Sequence, residues 1–340
     1  MPASVESPSA VCTRPRRYVA GEPAMSAFDT ILCPVDFSEA SARALRYAAA
    51  YADRFRARLI VLHVIDPILV NAAAVAYRMQ MLEEEMRAEL DAWVATTVSP
   101  ISCCPSRSTV VSSGRPCREI LKLAERETVD LIVMGTHGRR GCARLFEGSA
   151  TARLLRQTSI PTLVVPVDAS AAPCGADGPL NLAGPVLTLA DPDQMSSQAL
   201  HFAWDLARAL GASLFVAESG HATPPRFSRR TGWDAAPSEN ILRQRLFERR
   251  ISRLAKKVRI ERLALPGEPL MAIVTAAAQQ RPGLIVVGTA GGMGQQHQLS
   301  PRVTYQIICL TCLPVLVIPA ETSVAIRRHH ESHAPLAMVD

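Results

Sequence analysis

The sequence predicts an α/β protein of two tandem domains, each an open five-stranded parallel sheet with helices on both faces. Three observations carry that expectation. First, the 340-residue chain repeats itself. ILCPVDFSEASARALRYAA from Ile31 matches VLTLADPDQMSSQALHFAW from Val186, 155 residues on, while Gly114, Gly135 and Pro161 stand over Gly267, Gly288 and Pro314, each 153 residues on. A repeat this long is a domain duplication, since solenoid periods run about 20–50 residues. Second, continuous apolar runs alternate with helical stretches in each copy, the pattern of a parallel sheet covered on both faces. Third, the glycine-rich stretch VMGTHGRRGCARLFEGS, Val133 to Ser149, leaves an apolar run and leads into a helix.

In the first copy, Thr30–Val35 reads as an apolar strand, followed by a helix over Ser41–Phe55 with Ala44, Leu45, Ala48 and Ala52 inward. Leu59–Val64 is a second buried strand, and a long helix over Val75–Val98 carries Met79, Leu82, Met86, Leu90 and Trp93 on one stripe. A short strand at Thr109–Ser112 and a helix at Cys117–Arg126 come next. Leu131–Met134 is the fourth strand, Ser149–Gln157 a helix and Thr162–Val165 the fifth strand. The second copy repeats the strands at Pro185–Ala190, Ser213–Glu218, Arg262–Ala264, Leu284–Val287 and Val315–Ile318. The expected organisation is a disordered leader over 1–26, domains over 27–167 and 183–320 joined by a Pro/Gly/Ala linker at 168–182, and a polar tail over 321–340. Met25 is a second candidate start.

Composition narrows the class. Hydrophobic residues make up 48% of the chain, ample for two cores, yet no apolar run nears the ~20 residues of a membrane span. The leader has Arg14, Arg16 and Arg17 but no apolar stretch of a secretory signal. Nine cysteines without regular spacing make no disulfide framework, so a reducing cytoplasm is expected. Cys309 and Cys312 form a lone C-x-x-C, read as small apolar residues near a helix end, and His329, His330 and His333 fall in the polar tail. The net charge of +6 is uneven: Arg226–Arg262 holds twelve Arg or Lys against four Asp or Glu. Leu242, Leu246, Leu254 and Val258 keep helical spacing there, so the segment reads as a solvated helix face, and without a stacking platform or reading motif nucleic acid is not the expected partner.

The glycine loop points to chemistry. In an open parallel sheet ligands sit beyond the carboxyl ends of the strands, and glycines let backbone approach a ligand closely. Exposed amides and a helix N-terminus favour anions. Ser149 adds a hydroxyl and Arg139 and Arg140 add charge, so phosphate is the natural anion. On spacing alone, the alternative stands equally: Gly135, Gly138 and Gly141 turn the chain and Ser149 caps the helix. Asp36, a carboxylate closing a buried strand, suits a hydrogen-bond acceptor for base or sugar; its alternative is a turn or cap before the helix.

ILCPVDFSEASARAL, VLHVID and DLIVMGTHGRRGCARLFEGSATARLLRQTSIPTLVVP resemble the universal stress protein family, over nearly all of Phe28–Val167. The resemblance implies Rossmann-like (adenine nucleotide α-hydrolase-like) domains and a stress-response sensor or regulator that binds ATP in the cytoplasm. ATP-binding members carry G-x2-G-x9-G-[ST], which Gly135, Gly138, Gly148 and Ser149 match position for position. It further implies that Asp36 and Val64 meet the adenosine, Pro34 and Met134 wall the base, and these loop residues with the Ala150 amide hold ribose and phosphates. Mg²⁺ would accompany the triphosphate, although no carboxylate pair marks a site for it. The two fifth strands would pair as a pseudo-dimer, a contact that joins two chains in single-domain relatives, and a homodimer is a further option. The second copy departs from the pattern. Asp191, Gly288 and Gly291 are present, but Pro301 and Arg302 stand where Gly148 and Ser149 do in the first. A degenerate second site is expected, with Arg302 available for a different anion.

Other classes fit less well. Efficient phosphoryl transfer lacks a G-x4-G-K-[ST] loop and an evident base, His137 being the nearest candidate. Weak ATP hydrolysis or autophosphorylation is the most an enzyme reading allows. A dinucleotide dehydrogenase lacks G-x-G-x-x-G after the first strand. A scaffold binding no nucleotide is the third class.

Overall fold

The computed structural model describes residues 28–65, 76–98, 106–136, 150–167, 182, 184–190, 198–220, 227–228, 232–233, 245, 247–249, 251–289 and 299–319. The leader, most of the linker and the tail lie outside these residues, as do His137–Ser149, Asp191 and Gly291.

The first copy runs β1 (Thr30–Val35), α1 (Glu39–Phe55), β2 (Arg58–Ile65), α2 (Ala76–Val98), β3 (Arg107–Ser113), α3 (Pro116–Arg126), β4 (Leu131–Thr136), α4 (Ala150–Gln157) and β5 (Thr162–Pro166). The second runs β6 (Val186–Ala190), α5 (Gln198–Leu210), β7 (Leu214–Gly220), a small hairpin of β8 (Phe227–Ser228) and β9 (Gly232–Trp233), then β10 (Ile260–Pro266), α6 (Pro269–Gln280), β11 (Leu284–Gly288), α7 (Pro301–Thr311) and β12 (Val315–Ile318). The hairpin is a feature the sequence did not suggest.

Apart from that hairpin, the strands form one sheet in the order β10-β7-β6-β11-β12-β5-β4-β1-β2-β3. Pairing is parallel within each copy. At the middle, β5 and β12 pair antiparallel, Leu163 opposite Leu316, so the two fifth strands weld the copies together. Position explains composition. β5 (TLVVP) and β12 (VLVI) are buried at every residue because helices cover both faces of these central strands, whereas the outermost strand β3 is largely half-buried.

The helices form two layers. Ala44, Leu45, Ala48 and Ala52 of α1 are fully buried, together with Leu90 of α2 and Ala203 and Ala207 of α5, in one core that spans both copies. Across the seam, the rings of Phe28 and Phe202 lie 5.9 Å apart and Arg54 donates to the Ala209 carbonyl. On the other face, α3 and α4 cover Leu32, Ile60 and Ile132, while α6 and α7 cover Leu187, Ile285 and Val287.

Cys33 is buried in β1, and burial pushes its thiol far above the ordinary range. Because the thiolate is the nucleophile, iodoacetamide at about pH 8 is expected to leave Cys33 unmodified in the native protein and to label it after denaturation. Cys117, half-buried on α3, has its thiol raised by burial against the opposing pull of Arg153 and Arg156, and should label at an intermediate rate. Peptide mass mapping reads both, and native labelling of Cys33 at the Cys117 rate would refute the burial argument. The C-x-x-C does not close on itself, since Cys312 is a free thiol at the C-cap of α7.

Candidate ligand site at the carboxyl edge of the first sheet

Alternation along the strands decides which side chains share a face. Leu32, Ile60, Leu62, Ile132 and Met134 belong to the core under α3 and α4, with Val64 and Ala150 packed against it. Pro34, two residues beyond Leu32, is therefore on that face and lies in register with Leu62. Pro34, Val64 and Met134 thus form an apolar wall at the carboxyl ends of β1, β2 and β4. Asp36 is exposed one residue past β1, and Ala150 opens α4. The described members of the sequence-derived set meet at one edge. Gly138, Gly148 and Ser149 lie outside the described residues.

The turn carrying Asp36 is held on two sides. Ser38 is the N-cap of α1, its hydroxyl accepting from the Ser41 amide at 3.2 Å and donating to Asp36 Oδ1 at 2.5 Å. The Ser38 amide also donates to Oδ1 at 3.1 Å, and the Asp36 amide donates to Ser41 Oγ at 3.3 Å. Between them Phe37 takes the left-handed conformation, φ 61°, an uncommon state for a bulky residue. Its ring is wedged 4.7 Å from His63 and 5.3 Å from Trp93, and His63 Nδ1 lies 3.0 Å from the Val35 carbonyl oxygen. Asp36 therefore does serve the turn, as its alternative reading held, and the turn fixes its carboxylate at the sheet edge. The D-x-S-x-x-S spacing was the available sequence sign for this network.

Gly135 has a structural duty that sequence reading did not assign. A β-carbon there would overlap the Ala40 carbonyl and stand 2.9 Å from the Ser41 nitrogen, so the missing side chain lets α1 start directly against β4. Thr151 in the first turn of α4 donates to the Gly135 carbonyl at 3.3 Å, tying the helix to the same spot. Ser112 and Glu119 were also missed. Ser112 lies in register with Val64, and its hydroxyl donates to Glu119 Oε2 at 3.0 Å, closing the outer end of the apolar face.

The second copy differs at the equivalent edge. α7 starts at Pro301, which has no amide hydrogen, with Ser300 as N-cap accepting from the Val303 amide at 3.3 Å. By the repeat offset, Val303 stands over Ala150. The amide that would face an anion is thus occupied from within. Arg302 is exposed in the first turn of α7, and Gly288 is less crowded than Gly135, its would-be β-carbon meeting Ala199 Cβ at 3.3 Å. Among the described residues no group of three or more His, Cys, Asp or Glu could hold a metal, and no helix is long and apolar enough to cross a membrane.

Comparison with known proteins follows the same division. The model of the "Universal stress protein family" matches residues 27–166 and again 184–319. A universal stress protein of Mycolicibacterium smegmatis is 27% identical over 303 residues, covering 85% of this chain and 96% of its own. One from Methanocaldococcus jannaschii is 29% identical over 153 residues, 41% of this chain and 94% of its own. Among solved structures, a universal stress protein from Archaeoglobus fulgidus shares the fold with a TM-score of 0.60 at 19% identity, over 87% of this chain and 99% of that one.

Proposed function

We propose, from the premise that this chain belongs to the universal stress protein family in two tandem copies, that its first domain binds ATP and acts as a cytoplasmic sensor or regulator. The observation that carries the reading is the edge formed by Pro34, Val64 and Met134, with Asp36 fixed beside them and α4 starting at Ala150. An apolar wall suits the flat base, the carboxylate accepts from base or ribose hydroxyls, and helix N-termini bind phosphates. The motif Gly135, Gly138, Gly148, Ser149, which leads in sequence into α4, would supply the remaining backbone contacts. Occupancy would alter conformation or partner choice, and Mg²⁺ would travel with the triphosphate. The second domain is the weaker binder, since Ser300 takes the Val303 amide and Pro301 offers none.

Calorimetry and thermal melts test this. ATP at 100 times its Kd should stabilise the protein by about 2.7 kcal/mol. Asp36→Ala removes a charged acceptor and should weaken ATP about 10–100-fold, the equivalent of ~1.5–3 kcal/mol. Gly148→Val should weaken it further, while Pro301→Ala leaves it unchanged. Absence of any ATP effect at millimolar concentration sinks the reading in favour of a nucleotide-free scaffold. Loss of binding in Pro301→Ala alone would move the site to the second copy. Phosphate release that persists in Gly148→Val is contamination.

A further inference from the structure

The basic segment of the second copy is, in sequence, only a charge excess; the fold arranges it. Arg245, Arg249, Arg253, Lys256, Lys257 and Arg259 are all exposed, while Phe247, Ile251 and Val258 of the same stretch are buried in the core shared with α5. The stretch is fastened by the Trp204 indole, which donates to the Leu254 carbonyl at 2.9 Å. Arg245, Arg249 and Arg253 recur every fourth residue along the helical part, a stripe on the outer side, and Lys256, Lys257 and Arg259 follow in the turn that leads out of it. Four helical residues rise about 6 Å, near the ~6.8 Å axial rise of two nucleotides in one duplex strand.

None of these six side chains makes an ion pair or hydrogen bond among the described residues. Glu248, the acidic neighbour, lies 3.9 Å from Arg262 instead. The fold itself does not demand the charge. In the first copy the helix at this place, α2, carries Glu83, Glu84, Glu85 and Glu89. That acidic helix flanks β3, at the far end of the ten-stranded sheet from β10. Nine strand spacings of about 4.8 Å separate them, several Debye lengths of ~10 Å, so it does not cancel the field of the basic ridge. No large apolar side chain is exposed on the described ridge, which disfavours insertion into a bilayer.

We propose that this ridge binds the sugar–phosphate backbone of a nucleic-acid duplex without reading its sequence. Such binding needs no base-reading motif, only cations that displace condensed counterions. The proposal is independent of the nucleotide site.

The test is fluorescence anisotropy of labelled DNA duplexes of two unrelated sequences, titrated with the full chain between about 50 and 200 mM salt. Both sequences should bind alike, with log K falling against log[salt] at a slope of about −4 to −5, for four to six phosphate contacts. R245E/R249E/R253E should lower affinity at least ~10-fold and flatten the slope by about 3, with an unchanged melting temperature. If that variant misfolds, K256Q/K257Q, flattening the slope by about 2, decides the matter. No duplex binding at the lowest salt, or binding that either folded variant leaves intact, overturns the proposal. So would binding to phosphatidylserine vesicles alone, or salt-sensitive self-association through α2 without duplex binding.

Discussion

Gly135→Ala should lower the stability of the first domain by about 2–3 kcal/mol, whereas Gly288→Ala should cost less than about 1 kcal/mol. The two glycines occupy the same place in the repeat, so propensity and chain position cancel in the comparison. What differs is the neighbour. At Gly135 the new β-carbon meets backbone, the Ala40 carbonyl and the Ser41 nitrogen, and cannot be relieved without moving the start of α1. At Gly288 it meets the Ala199 methyl at 3.3 Å, which a shift of a few tenths of an ångström relieves. Moving α1 also disturbs the Asp36–Ser38–Ser41 hydroxyl network, so under the proposed function Gly135→Ala should weaken ATP binding along with stability. Urea denaturation of the two variants reads the first effect. Equal losses at both positions would show that the close approach of α1 to β4 is not what requires the glycine.

Arg262→Ala should destabilise the second domain by about 2–3 kcal/mol. Glu218 is buried at the end of β7, and Arg262 on β10 holds it through two parallel hydrogen bonds, Nη2 to Oε2 at 2.8 Å and Nε to Oε1. The Glu218 carboxylate in turn pushes the guanidinium further toward its charged form, the contribution of Glu248 being smaller. Arg262 also lies over the Phe247 ring at 5.7 Å. Removing the guanidinium leaves a carboxylate in a site built for a pair, the costly half of a buried ion pair. The figure is set below the fully buried range because Arg262 keeps 35% of its side chain in water. Replacing both partners, Glu218→Leu with Arg262→Met, should recover most of the loss. A double variant no more stable than Arg262→Ala would contradict the account.

The repeat shows that this pair is a local invention. Glu218 stands where the first copy has His63, and Arg262 where it has Thr109. There the same space is filled by the Phe37–His63–Trp93 rings and by the Thr109 hydroxyl donating to Asp91 at 2.6 Å. One backbone thus supports an aromatic cluster in one half and an ion pair in the other. Neither was evident from sequence, because the partners are 26 to 56 residues apart in the first copy and 44 apart in the second.

Strands buried on both faces announced themselves most clearly. Thr30–Val35 and Val315–Ile318 agree to the residue, since only continuous apolar runs survive under two helix layers. The outer strands were read short. Thr109–Ser112 extends to Arg107–Ser113, and Arg262–Ala264 to Ile260–Pro266. There one flank faces water, so Arg107, Glu261 and Arg262 sit in strands without apolar signature while the backbone ladder runs on. Of the candidate site, Asp36 was legible from its place at a strand end, whereas Pro34, Val64 and Met134 were implied only by the family resemblance. The crowding at Gly135 could not be read, because a glycine needed for helix packing and one needed for ligand approach look alike in sequence.

The seam between β5 and β12 has one more consequence. Since that pairing is antiparallel, the strands of the two halves run in opposite senses, and the rim that holds Asp36 and Gly135 is turned away from the rim that holds Gly288. The molecule is a plate with two unlike poles in a covalently fixed one-to-one ratio. A displacement at one pole can reach the other through the shared central strands and through the helices of both copies packed over them. Those strands are packed on both sides, which makes them stiff carriers, able to pass a small shift whole rather than absorb it.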